Sequence, residues 1–379
     1  MNLKKTIKVL LICGARPNFM KIAPLIFAIQ KHNLDKKQKK KIDYRLVHTG
    51  QHYDLQMSET FFRDLNIPKP DFNLEVGSGS HAVQTAEIMI RFEKVCIQEK
   101  PDWVVVVGDV NSTMGCTLVA AKLSIKVAHI EAGLRSFDRE MPEEINRLVT
   151  DALADLLLTP SKDADQNLLH EGIPKDKIKF VGNIMIDTLL NHVEKARQLR
   201  PYEKYNLKEN RYIFVTLHRP SNVDEKKSLT VIMKHLTALS KKMPVIFPMH
   251  PRTRKNLVSF GLHEKAAGSG GMIIIDPIGY HETIGLVDKS AFVLTDSGGL
   301  QEETTVLGIP CLTLRPNTER PVTITHGTNK LTTLKTLNED MSAILESGRK
   351  TKKRIPPLWD GRTAERIVKI LATMKKVKG

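Results

Sequence analysis

The stretch Phe292-Val293-Leu294-Thr295-Asp296-Ser297-Gly298-Gly299-Leu300-Gln301-Glu302-Glu303 sets the reading of the fold. Three apolar residues and a threonine ahead of an Asp-Ser-Gly-Gly turn, with helix-forming residues directly after, predict a buried strand that runs into a helix. Glycine leaves the backbone of such a turn open to close approach, and the N–H groups and positive dipole end of the new helix face whatever sits there. A diphosphate is the natural guest. Glu303, one turn further on, is placed to hydrogen-bond a vicinal diol such as a ribose offers. An ordinary strand-to-helix turn that uses glycine for backbone geometry accounts for the same letters, so the rest of the chain has to decide.

The far end of the chain repeats the pattern. An apolar strand over 8–14 leads into Gly14-Ala15-Arg16-Pro17-Asn18-Phe19-Met20-Lys21 and an amphipathic helix. Pro17 suits a first helical turn. Arg16 and Lys21 then lie at or just inside the helix's N-terminal end, a place for a phosphate or a carboxylate. A second strand, Tyr44 to His48, ends in the polar loop Thr49-Gly50-Gln51-His52-Tyr53-Asp54.

Next, Trp103-Val104-Val105-Val106-Val107 reads as a buried strand and delivers Gly108-Asp109 to a helix start, where capping is the ordinary job of an Asp. The strand Lys126 to Ile130 delivers Glu131-Ala132-Gly133-Leu134-Arg135, and Pro142-Glu143-Glu144-Ile145-Asn146-Arg147 opens another helix. The helix dipole explains acidic residues in a first turn, so Glu143 and Glu144 have a structural reason to be there; Glu131 has less of one. Three carboxylates gathered in one crevice suit proton chemistry at carbon, because repulsion and burial push some of their pKa values toward neutrality. A metal cluster is the rival reading, and no histidine accompanies them at ligand spacing.

A second series of strand, polar loop and helix begins at Tyr212. Its strands lead to His218-Arg219-Pro220, to His250-Pro251-Arg252, to Asp276-Pro277-Ile278-Gly279-Tyr280, to the Asp296-Ser297-Gly298-Gly299 turn, and to Thr318-Glu319-Arg320-Pro321. Polar residues at strand C-terminal ends are where open α/β sheets take ligands.

With 379 residues the chain is long for one core and divides most simply into two domains. The expected architecture is α/β: an N-terminal domain over 1–182 carrying the carboxylates, a C-terminal domain over 183–361, and a helix over 362–379 that packs back on the first domain. The stretch 198–210 reads as a linker. Hydrophobic content of 41% and charged content of 26% are those of a globular protein. No apolar run is long enough for a membrane helix. Lys4-Lys5 before Val9-Leu10-Leu11-Ile12 resembles a signal peptide faintly, but a first strand fits better. Cys13, Cys96, Cys116 and Cys311 are scattered without metal-ligand spacing and read as buried thiols in a reducing cytoplasm. The net charge of +16 sits in clusters such as 36–41, with no interleaved aromatics and no nucleic-acid-binding motif. Surface lysines or an anionic substrate account for it.

Taken together, Gly14-Ala15-Arg16-Pro17, Thr49-Gly50-Gln51-His52, Gly108-Asp109, His129-Ile130-Glu131-Ala132-Gly133-Leu134-Arg135, Pro142-Glu143-Glu144, His218-Arg219, Asp296-Ser297-Gly298-Gly299 and Thr318-Glu319-Arg320-Pro321 resemble the non-hydrolysing UDP-N-acetylglucosamine 2-epimerases. The resemblance runs in order from about residue 8 to 325. It implies a GT-B-like fold, two doubly wound, Rossmann-like α/β domains facing each other across a ligand cleft. It implies reversible inversion at C2 of a UDP-sugar through loss of UDP, a 2-acetamidoglucal intermediate and re-addition, with no cofactor and no obligatory metal. The product would feed cell-surface polysaccharide synthesis. Carried over by position, Asp109, Glu131, Glu143 and His218 are the expected catalytic residues. Arg16, Lys21, Ser297, Gly298, Glu303 and Arg320 are the expected UDP-sugar contacts, joined by Gly299 of the same turn, by His250 and Arg252, and by Ile278 and Tyr280 for the uracil. A cytoplasmic homodimer binding neither nucleic acid nor membrane is the implied setting.

Two departures stand out. Gln51-His52-Tyr53-Asp54 replaces the Gln-His-Arg type sequence tied to allosteric binding of UDP-N-acetylglucosamine, so the resemblance leaves that regulation open. Thr283 stands where some relatives have an aromatic near the uracil. The Gln-His-Tyr-Asp form also occurs in relatives acting on diacetamido-uronic acid nucleotides. A hydrolysing epimerase and a GT-B glycosyltransferase are the neighbouring alternatives.

Overall fold

The computed structural model describes residues 6–51, 62–264, 270–348 and 354–374, Arg16 in backbone only. Contacts divide the chain into two units, Met1–Thr188 with Pro357–Gly379, and Leu189–Pro356. Each is a parallel sheet with helices between successive strands.

In unit 1 the strands are β1 (Thr6–Cys13), β2 (Lys41–His48), β3 (Phe72–Asn73), β4 (Trp103–Val107), β5 (Lys126–Ile130), β6 (Leu156–Thr159) and β7 (Ile178–Phe180). They lie in the order β3-β2-β1-β4-β5-β6-β7. Every pairing is parallel, with Val9 beside Trp103 and Val107 beside Ile130. A sheet covered by helices on both faces needs apolar side chains on both, which is why β4 is Trp-Val-Val-Val-Val and wholly buried rather than alternating. The winding reverses between β1 and β4, the switch point at whose strand C-terminal ends open α/β sheets take ligands.

Unit 2 repeats the plan with β8 (Ile213–Thr216), β9 (Val245–Pro248), β10 (Met272–Ile275), β11 (Phe292–Thr295), β12 (Cys311–Leu314) and β13 (Asn329–Thr332). Their order is β10-β9-β8-β11-β12-β13, again all parallel, with the reversal between β8 and β11. The predicted strand of the Phe292–Thr295 stretch is therefore the central strand beside the switch. All four cysteines are buried free thiols. Among the described residues no helix is long and apolar enough to cross a membrane.

Unit 1 extends past the division expected at residue 182 and recovers the chain at Pro357, for identifiable reasons. Asp187 accepts hydrogen bonds from the backbone N–H groups of Thr363 (3.1 Å) and Ala364 (2.7 Å), capping the helix Thr363–Thr373 from outside it. That helix packs on the helix Arg16–Leu34, with Lys31 reaching Glu365 at 3.0 Å. Trp359, almost wholly buried, donates its indole N–H to the carbonyl of Pro160 at 2.9 Å. Gly182 makes room for this segment: at φ +92 a Cβ there would stand 2.1 Å from the carbonyl oxygen of Leu358.

Trp359→Ala should cost unit 1 about 3–5 kcal/mol through the cavity and the orphaned carbonyl. Urea unfolding followed by circular dichroism checks this, the expected result being a unit 1 transition at lower urea. An unshifted transition would mean the C-terminal segment is not anchored by this ring.

Candidate functional site

In unit 1 the loops after β1, β2 and β4 meet at Gly14. A Cβ on Gly14 would lie 2.2 Å from Ser112 Oγ and 2.4 Å from Thr49 Oγ1, so only glycine fits. Asn18 then locks the turn: its Oδ1 accepts from the N–H groups of Gly14 (3.2 Å) and Ala15 (3.1 Å), and its Nδ2 donates to the carbonyl of Val107 (2.9 Å). Helix Arg16–Leu34 starts here with Pro17 in its first turn. Arg16 opens it, and its side chain lies outside the described residues.

Lys21 was expected to meet a phosphate or a carboxylate, and here it turns inward onto a carboxylate of the protein itself. Its ammonium pairs with Glu131 Oε2, and both side chains are almost wholly buried. Gly108 permits this pair, since a Cβ on it would stand 2.9 Å from Lys21 Nζ at a φ of +68. Glu131 follows β5 with a φ of +75, a conformation that costs a non-glycine residue about 1–3 kcal/mol and persists where surroundings enforce it. Here the N–H groups of Glu131 (3.1 Å) and Ala132 (3.2 Å) both donate to the carbonyl of Leu158.

Asp109 does not cap the helix Asn111–Lys122, whose cap residue is Val110. The half-buried Asp109 carboxylate accepts from the buried guanidinium of Arg147. Arg147 is shared with Glu144, at 2.9 Å from Nε. Glu144 also accepts from the backbone N–H groups of Ser136 (3.0 Å) and Phe137 (2.8 Å). Burial alone would raise the Glu144 carboxyl; the Ser136 N–H and the Arg147 charge outweigh it and hold the group below its ordinary value. Glu144 is thus committed to the architecture. Its neighbour Glu143 is half-buried, with no hydrogen bond or ion pair among the described residues. Unit 1 therefore brings Asp109 and Glu131 to the ends of adjacent strands, each on its own buried cation.

Gln51 is occupied as well. Its Oε1 accepts from the N–H (3.1 Å) and hydroxyl (2.7 Å) of Ser112, serving a helix end that lacks a side-chain cap of its own. His52, Tyr53 and Asp54 lie outside the described residues.

In unit 2, Asp296 ends β11 fully buried and ties the two switch-point loops together. It accepts from the N–H groups of His218 (3.0 Å) and Arg219 (2.9 Å), from Asn222 Nδ2 (3.0 Å) and from His218 Nδ1 (2.9 Å). The last contact sets the tautomer and leaves Nε2 of a ring that is 41% exposed available for a ligand. The His250 ring lies 5.6 Å away, centroid to centroid. His250 and Arg252 also have structural work: His250 Nδ1 caps the helix Pro251–Ser259 by accepting from Arg252 N–H, and Arg252 bridges to Asp224 at 2.8 Å.

Ser297 is the cap residue of the helix Gly298–Leu307, and Ser297, Gly298 and Gly299 form a half-exposed turn. Arg320 lies against this turn; a Cβ on Gly298 would stand 2.5 Å from its Nη1. The guanidinium is held by Glu302 at 2.7 Å and by Glu319, which also takes Arg315 at 2.7 Å. Burial would raise the Glu319 carboxyl, but the two arginines hold it far below the usual range. A cation is thereby fixed beside open N–H groups at a helix N-terminus, the arrangement a diphosphate needs. One turn in, buried Glu303 accepts from the Tyr280 hydroxyl at 3.0 Å. Burial pushes its carboxyl up to about 8, against the pull of that hydroxyl. Ile278 lines a surface groove of about 610 Å³ at the end of β10, with Arg254, Asp276, Gly279 and Glu282. Thr283 spends its hydroxyl on the Gly279 carbonyl at 2.9 Å.

A sequence model of the UDP-N-acetylglucosamine 2-epimerase family matches residues 34–372. The chain belongs to that family.

Among relatives, the UDP-N-acetylglucosamine 2-epimerase of Methanocaldococcus jannaschii is 43% identical over 96% of this chain and 98% of its own. The UDP-2,3-diacetamido-2,3-dideoxy-D-glucuronate 2-epimerase of Pseudomonas aeruginosa is 41% identical over 86% of this chain and 88% of its own. A crystal structure of the M. jannaschii enzyme in complex with UDP-GlcNAc and UDP superposes with a TM-score of 0.88 at 42% identity, covering 97% of this chain and all of that one. The fold of this family member is accordingly GT-B-like, with two parallel-sheet α/β domains.

Reading the sequence singled out Asp109, Glu131, Lys21 and Arg320 but not which charges pair, so Lys21 was not marked as the partner of Glu131. Nothing in their motifs marks Arg147 as the partner of Asp109, Glu319 as that of Arg320 or Asp296 as that of His218. Only the Glu144-to-Arg147 spacing of three on a helix offered a signal.

Glu303 makes stability depend on pH in a defined direction. The unfolded side chain ionises near 4.5 and the folded one near 8, so between them the native state holds an extra proton. Rising pH should therefore lower the unfolding free energy of the wild type relative to Glu303→Gln from about pH 5 to pH 8, with parallel curves above. Urea titrations over this range measure it, and a wild type that gains on the variant would contradict the buried, protonated carboxyl.

Proposed function

We propose that this protein interconverts UDP-N-acetylglucosamine and UDP-N-acetylmannosamine reversibly and without net hydrolysis. Asp109 and Glu131, placed on buried cations at the ends of adjacent strands, carry the reading, in a chain 42% identical to one crystallised with UDP-GlcNAc and UDP. The hydrogen at C2 of the sugar is weakly acidic, so its removal has to be coupled to departure of a good leaving group. One carboxylate takes the C2 proton while the C1–oxygen bond breaks and UDP leaves with the electron pair. The 2-acetamidoglucal then re-adds UDP at C1 as a proton is delivered to the opposite face of C2. The sum is an isomerisation with no redox change.

On this reading Asp109, Glu131 and Glu143 supply and accept protons, and His218 meets the sugar or diphosphate through Nε2. Arg320 and the N–H groups of the Ser297-Gly298-Gly299 turn stabilise charge on the departing UDP. Glu303 takes the ribose diol, the groove at Ile278 the uracil, and Arg16, His250 and Arg252 add charge for the phosphates. Lys21 belongs with the carboxylates, since it balances the charge of Glu131. We further read the working form as a cytoplasmic homodimer whose product feeds cell-surface polysaccharide synthesis.

Proton NMR of UDP-N-acetylglucosamine with the protein in D2O tests the reaction. Deuterium at C2 together with UDP-N-acetylmannosamine is the expected outcome; free N-acetylmannosamine and UDP would establish a hydrolysing enzyme instead. The 41% identity to the diacetamido-glucuronate enzyme makes that nucleotide the second substrate to try. Asp109→Asn and Glu131→Gln should each lower turnover by about 10²–10⁴-fold, the usual worth of a positioned acid or base, with calorimetric UDP affinity nearly unchanged. Loss of UDP binding in both variants would move these residues out of the proton chemistry.

A further inference from the structure

His129 lies in β5, wholly buried, two residues before Glu131. Its Nδ1 is 2.6 Å from Asp151 Oδ1 and its Nε2 is 2.8 Å from the carbonyl oxygen of Gly108. Both neighbours are acceptors, so a ring carrying a hydrogen on each nitrogen satisfies both. The Asp151 carboxylate is itself fully enclosed. Its Oδ2 accepts from the N–H of Gly133 (3.0 Å) and from Arg135 Nη1 (2.7 Å), and Arg135 also forks onto Glu171 at 2.7 and 2.6 Å. The chain of contacts thus runs from the Gly108 carbonyl through His129, Asp151 and Arg135 to Glu171.

What the ring holds is specific. The Gly108 carbonyl begins the peptide that leads into Asp109. Gly133, held through Asp151, closes the turn that starts at Glu131. The N–H of Gly108 donates to the carbonyl of Ile130 (3.1 Å), so the two tips are also tied to each other. Both tips are in left-handed backbone conformations, Gly108 at φ +68, which glycine adopts freely, and Glu131 at φ +75, which its surroundings have to hold. Asp151 lies on the helix Pro142–Leu153, which also carries Glu143 and the Arg147 that pairs with Asp109. A single imidazole therefore connects β4, β5 and this helix, the elements that deliver Asp109, Glu131 and Glu143.

We propose that His129, bridging Asp151 and the Gly108 carbonyl, is a positioning residue for the proton transfers at C2: it fixes the aim of Asp109 and, through the 131–133 turn, that of Glu131. This rests on the epimerase reading. His129 touches no reacting atom, so its removal affects turnover and leaves nucleotide binding in unit 2 intact.

The test compares His129→Asn with His129→Gln. The Gln amide donor reaches about as far as Nε2 and can still meet the Gly108 carbonyl, whereas the Asn donor reaches only about as far as Nδ1. His129→Asn should lower kcat about 100-fold and His129→Gln about 10-fold or less, with KM and the UDP dissociation constant within about threefold in both. Backbone hydrogen exchange of each variant should rise at 108–111 and 131–133 while the interior of β4 and β5 stays protected. If His129→Asn does not fold, His129→Gln against wild type carries the comparison in the same two readouts. Unchanged kcat with unchanged exchange at the tips overturns the proposal. So does a loss of kcat, UDP affinity and thermal stability together to the same extent in both variants. The exchange readout needs no turnover, so an inactive wild type would count against the epimerase reading, and mobile tips in the variants would still support the positioning role.

Discussion

The buried pair of Lys21 and Glu131 sets the terms for unit 1. Withdrawing either ion from water costs several kcal/mol, which mutual attraction offsets only if the geometry is good and other hydrogen bonds hold the partners in place. The chain meets that requirement from three directions. Asn18 fixes the turn that launches the helix bearing Lys21, Gly108 leaves the space the ammonium occupies, and the Leu158 carbonyl holds Glu131 in its left-handed conformation. The interaction therefore ties together β1, β4, β5 and β6 at their C-terminal ends. It also places one carboxylate at the end of β5, next in the sheet to β4, whose end carries Asp109 with its own cation in Arg147.

Unit 2 answers a similar constraint with the charges reversed. Arg320 has to be held at the Gly298 turn, and a lone buried guanidinium there would be unstable. Glu302 and Glu319 supply the counter-charge, and Arg315 balances Glu319 in turn. The result is a cation fixed next to the N–H groups of a helix N-terminus. Such preorganisation matters more than charge count, because donors that need not reorient stabilise developing charge at no reorganisation cost. Asp296 does the equivalent for His218, orienting a ring that remains open on its other nitrogen.

Much of this was legible from residue patterns. Apolar runs ending in Gly-containing polar loops placed the strands, and the placement of Asp109, Glu131, His218, Asp296 and Arg320 just after strands put them at one edge of their sheets. Lys21 shows where such reading stops. A lysine in the first turns of a helix next to a glycine turn looks like a phosphate ligand, yet its ammonium points to Glu131, 110 residues away in sequence. Capping was the ordinary alternative for Asp109, yet Val110 is the cap residue and Asp109 pairs with Arg147. Of Glu143 and Glu144, adjacent and chemically identical, only the fold shows that Glu144 is bound up with Ser136, Phe137 and Arg147.

The amino-acid sequence by itself determined the alternation of strands and helices, the two parallel sheets and the set of loops at their C-terminal ends, because burial periodicity and turn chemistry are local properties. The tertiary structure decided which charges meet. Long-range pairs such as Lys21 with Glu131, Arg147 with Asp109 and His129 with Gly108 are closed by sheet order, and sheet order depends on packing every helix against both faces at once. A side chain's neighbours across the sheet leave no periodic trace in its own segment, so the partners that set the state of each functional group became visible only when the strands were placed side by side.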